Sequence, residues 1–361
     1  MQFFLDTNVF YGDWFARGAN FKYLFHFINN EGHDLLISKV VLQEAENIQN
    51  RELGSAIADA KRFLANATKL NGVEILPEPP NFCVEKYDLF SILKEKCQSV
   101  TVLDYESIPH SLVVNRALKR VRPFQENEKG YRDTLIWLSL LDRLRTKPEA
   151  VIFSSANKSD FLDPSAKPAA FHSDLRADIE GFPSTCLIQP YASLFDFVDK
   201  TIDKNDHALD HTKAEDAFGA YIEEQGAQFL MSMRPALISS LQKLLTPGVN
   251  ALVNSSSIDA DVFEGIEGFS VQSTSDLGKG DVYVSCEYDL RRVRITVSIP
   301  KSDYLLYRNE IEDGNRFFDT DIDGDQVKLT TVIRPYFTVS FIHNINDESS
   351  KDFSVDSFWL R

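Results

Sequence analysis

The sequence predicts an α/β protein: a parallel sheet with helices on both faces, followed by a smaller α+β module with antiparallel strands. Short apolar runs alternate with helical stretches over roughly the first 195 residues. After Pro247-Gly248 the hydrophobic period changes to simple alternation, which is typical of half-buried strands. We therefore expect two domains, at 1–200 and 201–361.

The elements of the first half follow from the spacing of apolar residues. Phe3-Phe4-Leu5 predicts a buried strand, and Ser38 is expected to cap the long helix after the second strand. Pro77, Pro79 and Pro80 are expected to end that helix. The segment 100–103 is either a strand or an extended link. The predicted helices cover 14–30, 40–70, 84–96, 111–120 and 131–145, and the other predicted strands cover 35–37, 151–153 and 185–188.

The second half begins with a helical region over 201–245, in which Gly219, Gly226 and Pro235 are expected interruptions. Two alternating segments, 281–289 and 293–299, predict a hairpin with a short turn. Further strands are expected within 327–342 and 353–360.

An acidic segment of the second half resembles the start of a calcium-binding loop. Asp319-Thr-Asp-Ile-Asp-Gly324 has the alternating carboxylates and the glycine of such a loop. Its twelfth position is Thr330 where a bidentate Glu is required, and its flanks have the pattern of strands. We therefore expect a polar hairpin turn here.

Composition excludes several classes of protein. The chain has 361 residues, 43% hydrophobic and 25% charged, and its sequence contains no apolar run of the roughly 18 residues that would span a membrane. The N-terminus has neither the basic region nor the small-residue cleavage site of a secretion signal, so a cytoplasmic location is expected. The cysteines have no metal-binding spacing and are expected to be buried thiols of a reducing compartment; they are Cys83, Cys97, Cys186 and Cys286.

The formal net charge of −16 argues against a protein that coats nucleic acid, because such binding depends on Lys and Arg contacts to phosphates. It is compatible with a nuclease whose carboxylates attract phosphate only once a metal ion is bound. In that case the contacts with substrate must come from a local basic patch.

Acidic residues stand at matching places along the predicted α/β domain. Asp6 ends the first strand, and Glu44 lies in the first turns of the helix after the second strand. Asp133 lies in the first turn of a helix, and Asp160 follows another strand. Because such places share one edge of a parallel sheet, distant residues can converge there. Clustered carboxylates repel each other unless a cation neutralises them, and Mg²⁺ or Mn²⁺ with oxygen ligands is the natural partner.

These four contexts resemble the acidic motifs of the PIN domain, a nuclease superfamily that includes the toxins of many bacterial toxin–antitoxin pairs. The matching segments are Phe4-Leu-Asp-Thr-Asn8, Val40-Val-Leu-Gln-Glu44, Arg132-Asp-Thr-Leu-Ile136 and Phe153-Ser-Ser-Ala-Asn-Lys-Ser-Asp-Phe161. The segment Phe171-His-Ser-Asp-Leu-Arg-Ala-Asp178 is further similar to a larger bacterial PIN-like group. The resemblance covers roughly residues 1–195. It implies a three-layer α/β/α domain and a metal-dependent nuclease, in which Asp6, Glu44 and Asp133 match the family ligands directly.

The fourth motif departs from the family pattern. In place of Thr-x-Asp the chain has Ser155-Ala-Asn157, and Asp160 follows three residues later. Either Asn157 fills the fourth position or Asp160 reaches in, and a weakened metal site is one consequence to test. Asn8, Ser155 and Asn157 are expected to orient ligands or the scissile phosphate.

A basic cluster precedes the third acidic motif and is expected to contact nucleic acid. Its members are Arg116, Lys119, Arg120, Arg122, Lys129 and Arg132. The alternative is a solvated basic helix surface. Phe124 and Tyr131 are candidates for base stacking, although aromatic residues are more often core. His172 is expected to have a structural role.

The leading hypothesis is a cytoplasmic endonuclease that uses Mg²⁺ or Mn²⁺, with RNA favoured over DNA. The alternative is a catalytically weak PIN-like scaffold that binds a protein partner, or forms an oligomer, through residues 201–361. A toxin or phage-defence effector whose C-terminal module senses a trigger is a further hypothesis.

Overall fold

The computed structural model describes residues 1–71, 86–125, 129–203, 209, 214–232 and 234–360, with the side chains of 71, 214–216 and 234–236 left out. The chain divides into two compact units. The first contains Met1–Arg17 and Phe21–Lys200, and the second contains Gly18–Asn20 and Thr201–Arg361.

The first unit is built on a parallel sheet of five strands in the order β3-β2-β1-β4-β5. Its strands are β1 (Gln2–Leu5), β2 (Asp34–Ser38), β3 (Val100–Leu103), β4 (Val151–Ser154) and β5 (Ile188–Tyr191). The predicted α/β class is therefore confirmed, and the segment whose state was left open is the strand β3. Because β1 lies between β2 and β4, residues after β1 and β4 come close together.

Helices connect these strands. They are α1 (Ala19–Asn30), α2 (Lys39–Asn71), α3 (Leu89–Lys96), α4 (His110–Lys119), α5 (Tyr131–Thr146), α6 (Ser173–Ile179) and α7 (Leu194–Thr201). The predictions for α2, α4 and α5 are confirmed to within two residues at each end. Ser38 has the expected capping role, since its Oγ accepts a hydrogen bond from the backbone N–H of Val40.

Some helix boundaries were predicted wrongly. α1 begins at Ala19, five residues after the predicted start, because a short 3₁₀ helix (Thr7–Phe10) and turns fill the space after β1. α3 begins at Leu89 because Asp88 caps it: its carboxylate accepts the backbone N–H of Ser91. The short helices α6 and α7 were not predicted. Pro77, Pro79, Pro80 and Cys83 lie outside the described residues.

Burial on both faces explains the continuous apolar run of β1. Phe3, Phe4 and Leu5 are each at most 1% exposed. The Phe4 ring stacks on that of Phe153 in β4, with centroids 5.4 Å apart. This core fixes the register of β1 against β4, and so it fixes where Asp6 stands.

The last strand of this sheet was predicted three residues too early. β5 begins at Ile188, whereas the predicted strand covered 185–188. Leu187 is 65% exposed, so the apolar run Cys186-Leu187-Ile188 does not mark one buried face. Gln189 and Pro190 continue the strand because β5 is an edge strand, where proline is tolerated.

The second unit contains an antiparallel sheet of six strands, as the fold class predicted. The strands are β6 (Ser257–Asp276), β7 (Asp281–Pro300), β8 (Asp319–Asp323), β9 (Gln326–Ile333), β10 (Pro335–Asn344) and β11 (Ser349–Leu360). Two short helices, α10 (Lys301–Leu306) and α11 (Arg308–Asp313), lie between β7 and β8.

The predicted hairpin over 281–299 is wrong, because these residues form the single strand β7. One edge of β7 pairs with β6 over nearly its whole length. The other edge pairs first with β10 and then with β9. The exposed residues Arg291 and Arg292 interrupt the alternation where β7 changes partner. An irregularity in sequence alternation therefore marks an exchange of neighbours and not a turn.

Gly219 and Gly226 do not interrupt the helical region, contrary to prediction. Both lie inside α8 (Ala214–Ser232), which packs on the sheet of the second unit. A Cβ at Gly226 would stand 2.6 Å from the Tyr288 hydroxyl oxygen, and one at Gly219 would stand 3.2 Å from Ile266 Cδ1. The glycines thus allow close helix–sheet packing. Pro235 is the second residue of α9 (Arg234–Leu245), where a missing N–H costs nothing.

The acidic segment that resembles a calcium loop is a hairpin, as expected. Asp319–Asp323 forms β8, which pairs with β9 across a turn at Gly324. The φ of Gly324 is +58°, a backbone conformation that favours glycine.

The described cysteines agree with the expectation of buried thiols: Cys97, Cys186 and Cys286 are buried and unbonded. Within the parts of the chain that the structure describes, none of the helices combines the length and the apolar character that crossing a bilayer requires.

Candidate active site

A polar cavity of about 700 Å³ opens at the carboxyl edge of the parallel sheet. Its acidic lining residues are Asp6, Glu44, Asp133 and Asp160. They come from the end of β1, the start of α2, the start of α5 and the loop after β4. The fold thus brings together the four acids singled out in the sequence.

Asp6 is 2% exposed and lies at the centre of a hydrogen-bond network. Its Oδ2 accepts a hydrogen bond from Ser155 Oγ at 2.7 Å, and its Oδ1 accepts one from the Thr7 backbone N–H at 2.8 Å. Burial raises the pKa of Asp6 to about 7, and the negative charges of Asp133 and Glu44 add to the rise, although the hydrogen bonds oppose it. Burial and the neighbouring acids thus disfavour the charged form of Asp6.

Glu44 projects from the second turn of α2 and has two partners. Its Oε2 accepts a hydrogen bond from Thr7 Oγ1 at 2.8 Å. Its Oε1 forms an ion pair with Arg132, whose side chain is 65% exposed. Thr7 was part of the first motif but was not singled out, because its partner is 37 residues away in the sequence.

Asp133 lies in the first turn of α5, where a carboxylate is favoured by the partial positive charge of the helix N-terminus. Burial nevertheless raises its pKa to about 6, and repulsion from Asp160 and Glu44 contributes. The remainder of α5 anchors this position, since Leu135, Ile136 and the following turns are buried in the core.

Gly130 fixes the start of α5. Its φ is +99°, and a Cβ there would stand 2.2 Å from the carbonyl oxygen of Pro123. Gly130→Ala is therefore expected to lower the free energy of unfolding by about 1–3 kcal/mol, through backbone strain and the clash. Urea unfolding followed by circular dichroism measures this.

Gly54 provides the matched control for that substitution. It lies inside α2 without a positive φ, and apart from its chain neighbours and the adjacent helix backbone no atom lies within 4 Å of the point that a Cβ would occupy. Gly54→Ala should raise stability by roughly 0.5–1 kcal/mol, because alanine favours a helix interior. Equal stability of the two variants would show that the close approach of Pro123 to Gly130 is unimportant.

Asn157 and Asp160 both reach the fourth acidic position. Asn157 Nδ2 donates to Asp160 Oδ2 and lies 3.5 Å from Asp133 Oδ1. The Oδ1 of Asn157 accepts a hydrogen bond from Ser159 Oγ at 3.0 Å. Gln125 also donates to Asp160. The Asn157 carboxamide thus bridges two carboxylates by donating to them, and Asp160 supplies the charge.

Asn8 and Ser155 join the ends of β1 and β4. Asn8 Nδ2 donates to Asp6 Oδ2 at 2.8 Å, while its Oδ1 accepts the backbone N–H of Ala156 at 2.7 Å. Ser155 Oγ accepts the backbone N–H of Asn157 at 3.1 Å. These contacts hold the loop after β4 against Asp6.

The basic cluster has members with different surroundings. Arg116 forms an ion pair with Asp178 at 2.8 Å and is 12% exposed, and it also donates to the Arg122 carbonyl. Arg122 donates to the Ser159 carbonyl. Lys119 and Arg120 are exposed at the end of α4. Lys129 and Arg132 line the acidic cavity.

The aromatic residues near the site also differ from one another. Phe124 is buried, at 5% exposure, which makes it a core residue and not a stacking platform. Tyr131 and Tyr11 line the cavity and are 47% and 51% exposed. Tyr11 was not singled out in the sequence, although it stands only five residues after Asp6. His172 caps α6 by accepting the backbone N–H of Asp174, which is a structural role.

Residues 3–161 match the family model of the PIN domain, a stretch that spans β1 to the loop after β4 and includes all four acids. Over this stretch the first unit is a PIN domain. PIN domains are generally nucleases, and they typically use divalent metal ions. No curated protein and no solved structure was found to match the chain.

The donor set of this PIN domain fits a hard divalent cation. Carboxylate oxygens are the ligands that Mg²⁺ and Mn²⁺ prefer. Burial is the main cause of the raised pKa values of Asp6 and Asp133, and the negative charges of neighbouring acids add to the rise, so a bound cation would relieve this repulsion. Over the described residues, no three acidic, histidine or cysteine side chains already stand close enough to hold an ion. The carboxylates are instead engaged with donors from Thr7, Ser155, Asn157 and Arg132.

Proposed function

We propose that this protein is a metal-dependent endonuclease that hydrolyses phosphodiester bonds, with RNA favoured over DNA. The convergence of Asp6, Glu44, Asp133 and Asp160 in one cavity of a PIN domain carries the proposal. These four side chains would hold Mg²⁺ or Mn²⁺. When bound, such an ion activates water and stabilises the charge of an in-line displacement at phosphorus.

The other residues of the cavity have separate tasks in this proposal. Lys129 and Arg132 would contact the phosphates beside the cut bond, since they are cations at the rim of an acidic cavity. Tyr11 and Tyr131 would stack on bases. Asn8 would keep Asp6 aligned with the loop after β4. Lys119 and Arg120 are exposed and would contact phosphates of the nucleic acid farther from the cut bond. Arg116 and Arg122 would stabilise the fold through their contacts with Asp178 and with backbone carbonyls.

The deciding experiment is cleavage of labelled single-stranded RNA, single-stranded DNA and duplex DNA with Mn²⁺ by the full chain and by Asp6→Asn. Cutting of RNA by the wild type alone would support the proposal. Cutting of DNA only would correct the substrate class. A wild type that cuts nothing, or a variant that cuts as fast as the wild type, would overturn it.

Asp160 and not Asn157 is proposed to be the fourth ligand, because Asn157 donates its N–H groups to the carboxylates. Asp160→Asn is expected to weaken Mn²⁺ binding by about ten- to hundredfold, while Asn157→Asp retains or improves binding. Titration calorimetry measures both. Asp163→Asn is the control on the same loop, since that carboxylate is engaged by Ser165. If Asp160→Asn left Mn²⁺ binding unchanged and Asn157→Asp weakened it, the assignment would be reversed.

The alternative of a catalytically weak scaffold is favoured by one observation. Arg132 already pairs with Glu44, and the Asn157 carboxamide bridges Asp133 and Asp160, so the protein itself partly offsets the negative charge. Such a scaffold need not bind Mn²⁺. Calorimetry separates the two functions, because a nuclease requires Mn²⁺ binding that Asp6→Asn removes.

The roles in the cell stay predictions. A toxin or phage-defence effector should arrest growth when expressed, and Asp6→Ala should relieve the arrest. Binding of a protein partner, or of a second copy, through residues 201–361 and the cytoplasmic location are further expectations from the sequence.

A further inference from the structure

A second cavity, of about 410 Å³, lies beside the carboxyl ends of β4 and β5 in the first unit. This volume is within the usual range of small-ligand sites. Its apolar lining comes from Leu162, Pro168, Pro190 and Tyr191. The loop after β4 forms one wall, and the start of the segment after β5 forms another.

Lysines surround this apolar lining. Lys158, Lys167 and Lys200 are exposed, and Lys200 Nζ lies 5.5 Å from the centroid of the Tyr191 ring. Among the described residues, no carboxylate is paired with any of these ammonium groups. The acids of the lining are Asp163, whose carboxylate accepts two hydrogen bonds from Ser165, and Asp196. Three lysines against two aspartates give the lining a small excess of positive charge, although the chain carries a net charge of −16.

Consecutive residues of one loop line the two cavities. Asn157 and Ser159 face the acidic cavity, whereas Lys158 between them lines the second one. Consecutive Cα atoms are about 3.8 Å apart, so the cavities are separated by little more than the thickness of this loop. A nucleic-acid strand bound with its scissile phosphate at the acidic cavity would therefore place the neighbouring nucleotide at the second cavity.

We infer that the second cavity binds the nucleotide next to the scissile phosphate, which deepens the proposed function and rests on it. The base would enter against the apolar lining, and the lysines would bind the phosphate of that nucleotide. An apolar pocket rimmed by cations is complementary to an aromatic base that carries an anionic group. A single-stranded substrate is implied, because a base within a duplex cannot enter such a pocket.

Abasic scanning tests the inference. Single-stranded RNAs that lack one base at each position around the cut bond are cleaved by the full chain with Mn²⁺. Removal of the base at one position beside the cut bond is expected to lower kcat/KM by about tenfold, because one base contact is lost. Ala166→Trp, which fills the cavity from its lining, should lower the cleavage of intact RNA and remove the difference between intact and abasic RNA.

Lys167→Ala tests the same site with less risk to folding, because this side chain is exposed. It should weaken the binding of intact RNA several-fold. Lys69→Ala is the matched control, since Lys69 is exposed on α2 about 38 Å along the helix from Glu44. Equal losses in both variants would reveal only a general charge effect and would overturn the inference, as would equal cleavage of all the abasic RNAs.

Binding measurements separate this inference from the proposed function. If the protein cuts nothing, the same RNAs are bound to the full chain in EDTA and followed by anisotropy. If the loss of one base weakened binding at a single position, and Ala166→Trp removed that difference, the nucleotide site would be supported even though the proposed nuclease had failed. A position effect that persists in Ala166→Trp would overturn the site. So would a free nucleoside monophosphate that binds the cavity and changes cleavage without any position effect, because the occupant would then be a separate effector.

Discussion

Asp133→Asn is expected to lower the rate of RNA cleavage by roughly two to three orders of magnitude, because the loss of one charged contact at a transition state has about this effect. The substitution keeps the shape of the side chain and removes one negative charge from a crowded acidic cavity. The pKa of Asp133 is raised to about 6 by burial and by Asp160 and Glu44, so its charge is destabilising in the free protein. Folding should therefore be unharmed. Single-turnover cleavage with saturating Mn²⁺, compared with circular dichroism, measures both effects.

Asp142→Asn is the matched control on α5. Its carboxylate is exposed and lies 4.0 Å from Arg145, outside the cavity. It should change neither the rate nor the fold. Partial recovery of Asp133→Asn at high Mn²⁺ concentration would assign the loss to ion affinity. An Asp133→Asn protein that cuts as fast as the wild type would sink the proposed mechanism.

The first unit was largely predictable because its signals are local. A buried parallel strand is a continuous apolar run, and a helix repeats over many residues. β1 and α5 have such patterns. β5 lacks such a pattern, because Gln189 and Pro190 break its apolar run. Its pairing partners lie 37 residues earlier, in β4. The second unit was less predictable: β6 is rich in acidic residues and contains Gly265 and Gly268, so only its pairing with β7 reveals it as a strand.

The site was predictable in its charges and not in its contacts. Each acid lies after the end of a strand or in the first turns of a helix, and such positions lie along one edge of a parallel sheet. Whether Arg132 pairs with Glu44, or points to solvent, depends on two helices that are far apart in sequence. The contact of Gln125 with Asp160 likewise joins segments that are 35 residues apart in the sequence. The basic cluster looked uniform in sequence because its differences come from tertiary partners such as Asp178.

Removing the charge of Asp6 is expected to make the metal-free protein more stable at pH 8. Asp6 is 2% exposed, and its pKa is raised from 3.8 to about 7. A carboxyl group with a raised pKa binds more protons in the folded than in the unfolded state, so its contribution to stability is full below pH 3.8 and is lost as pH rises through 7. The loss approaches about 4 kcal/mol, since each pKa unit corresponds to about 1.4 kcal/mol.

Asp6→Asn avoids this loss but weakens one contact, because the new amide nitrogen faces the N–H groups of Asn8. An unmade hydrogen bond costs about 1 kcal/mol, which leaves a net gain of roughly 2–3 kcal/mol at pH 8. Hydrogen exchange of β1 and β4 in EDTA measures this gain in the PIN domain itself. The gain should disappear near pH 4, where Asp6 is protonated in the folded wild type, and Asp142→Asn should show no change at either pH.

Saturating Mn²⁺ should reverse the order of stability, because an ion that binds the folded wild type raises its free energy of unfolding in proportion to its affinity. Asp6→Asn would gain less from the ion, having lost one proposed ligand. The cavity would then combine two properties with one physical origin: buried carboxylates that destabilise the free domain are the groups that bind the ion. If Asp6→Asn were less stable than the wild type in EDTA at pH 8, the hydrogen bonds from Ser155 and Thr7 would outweigh the cost of burial, and Asp6 would be a structural residue first.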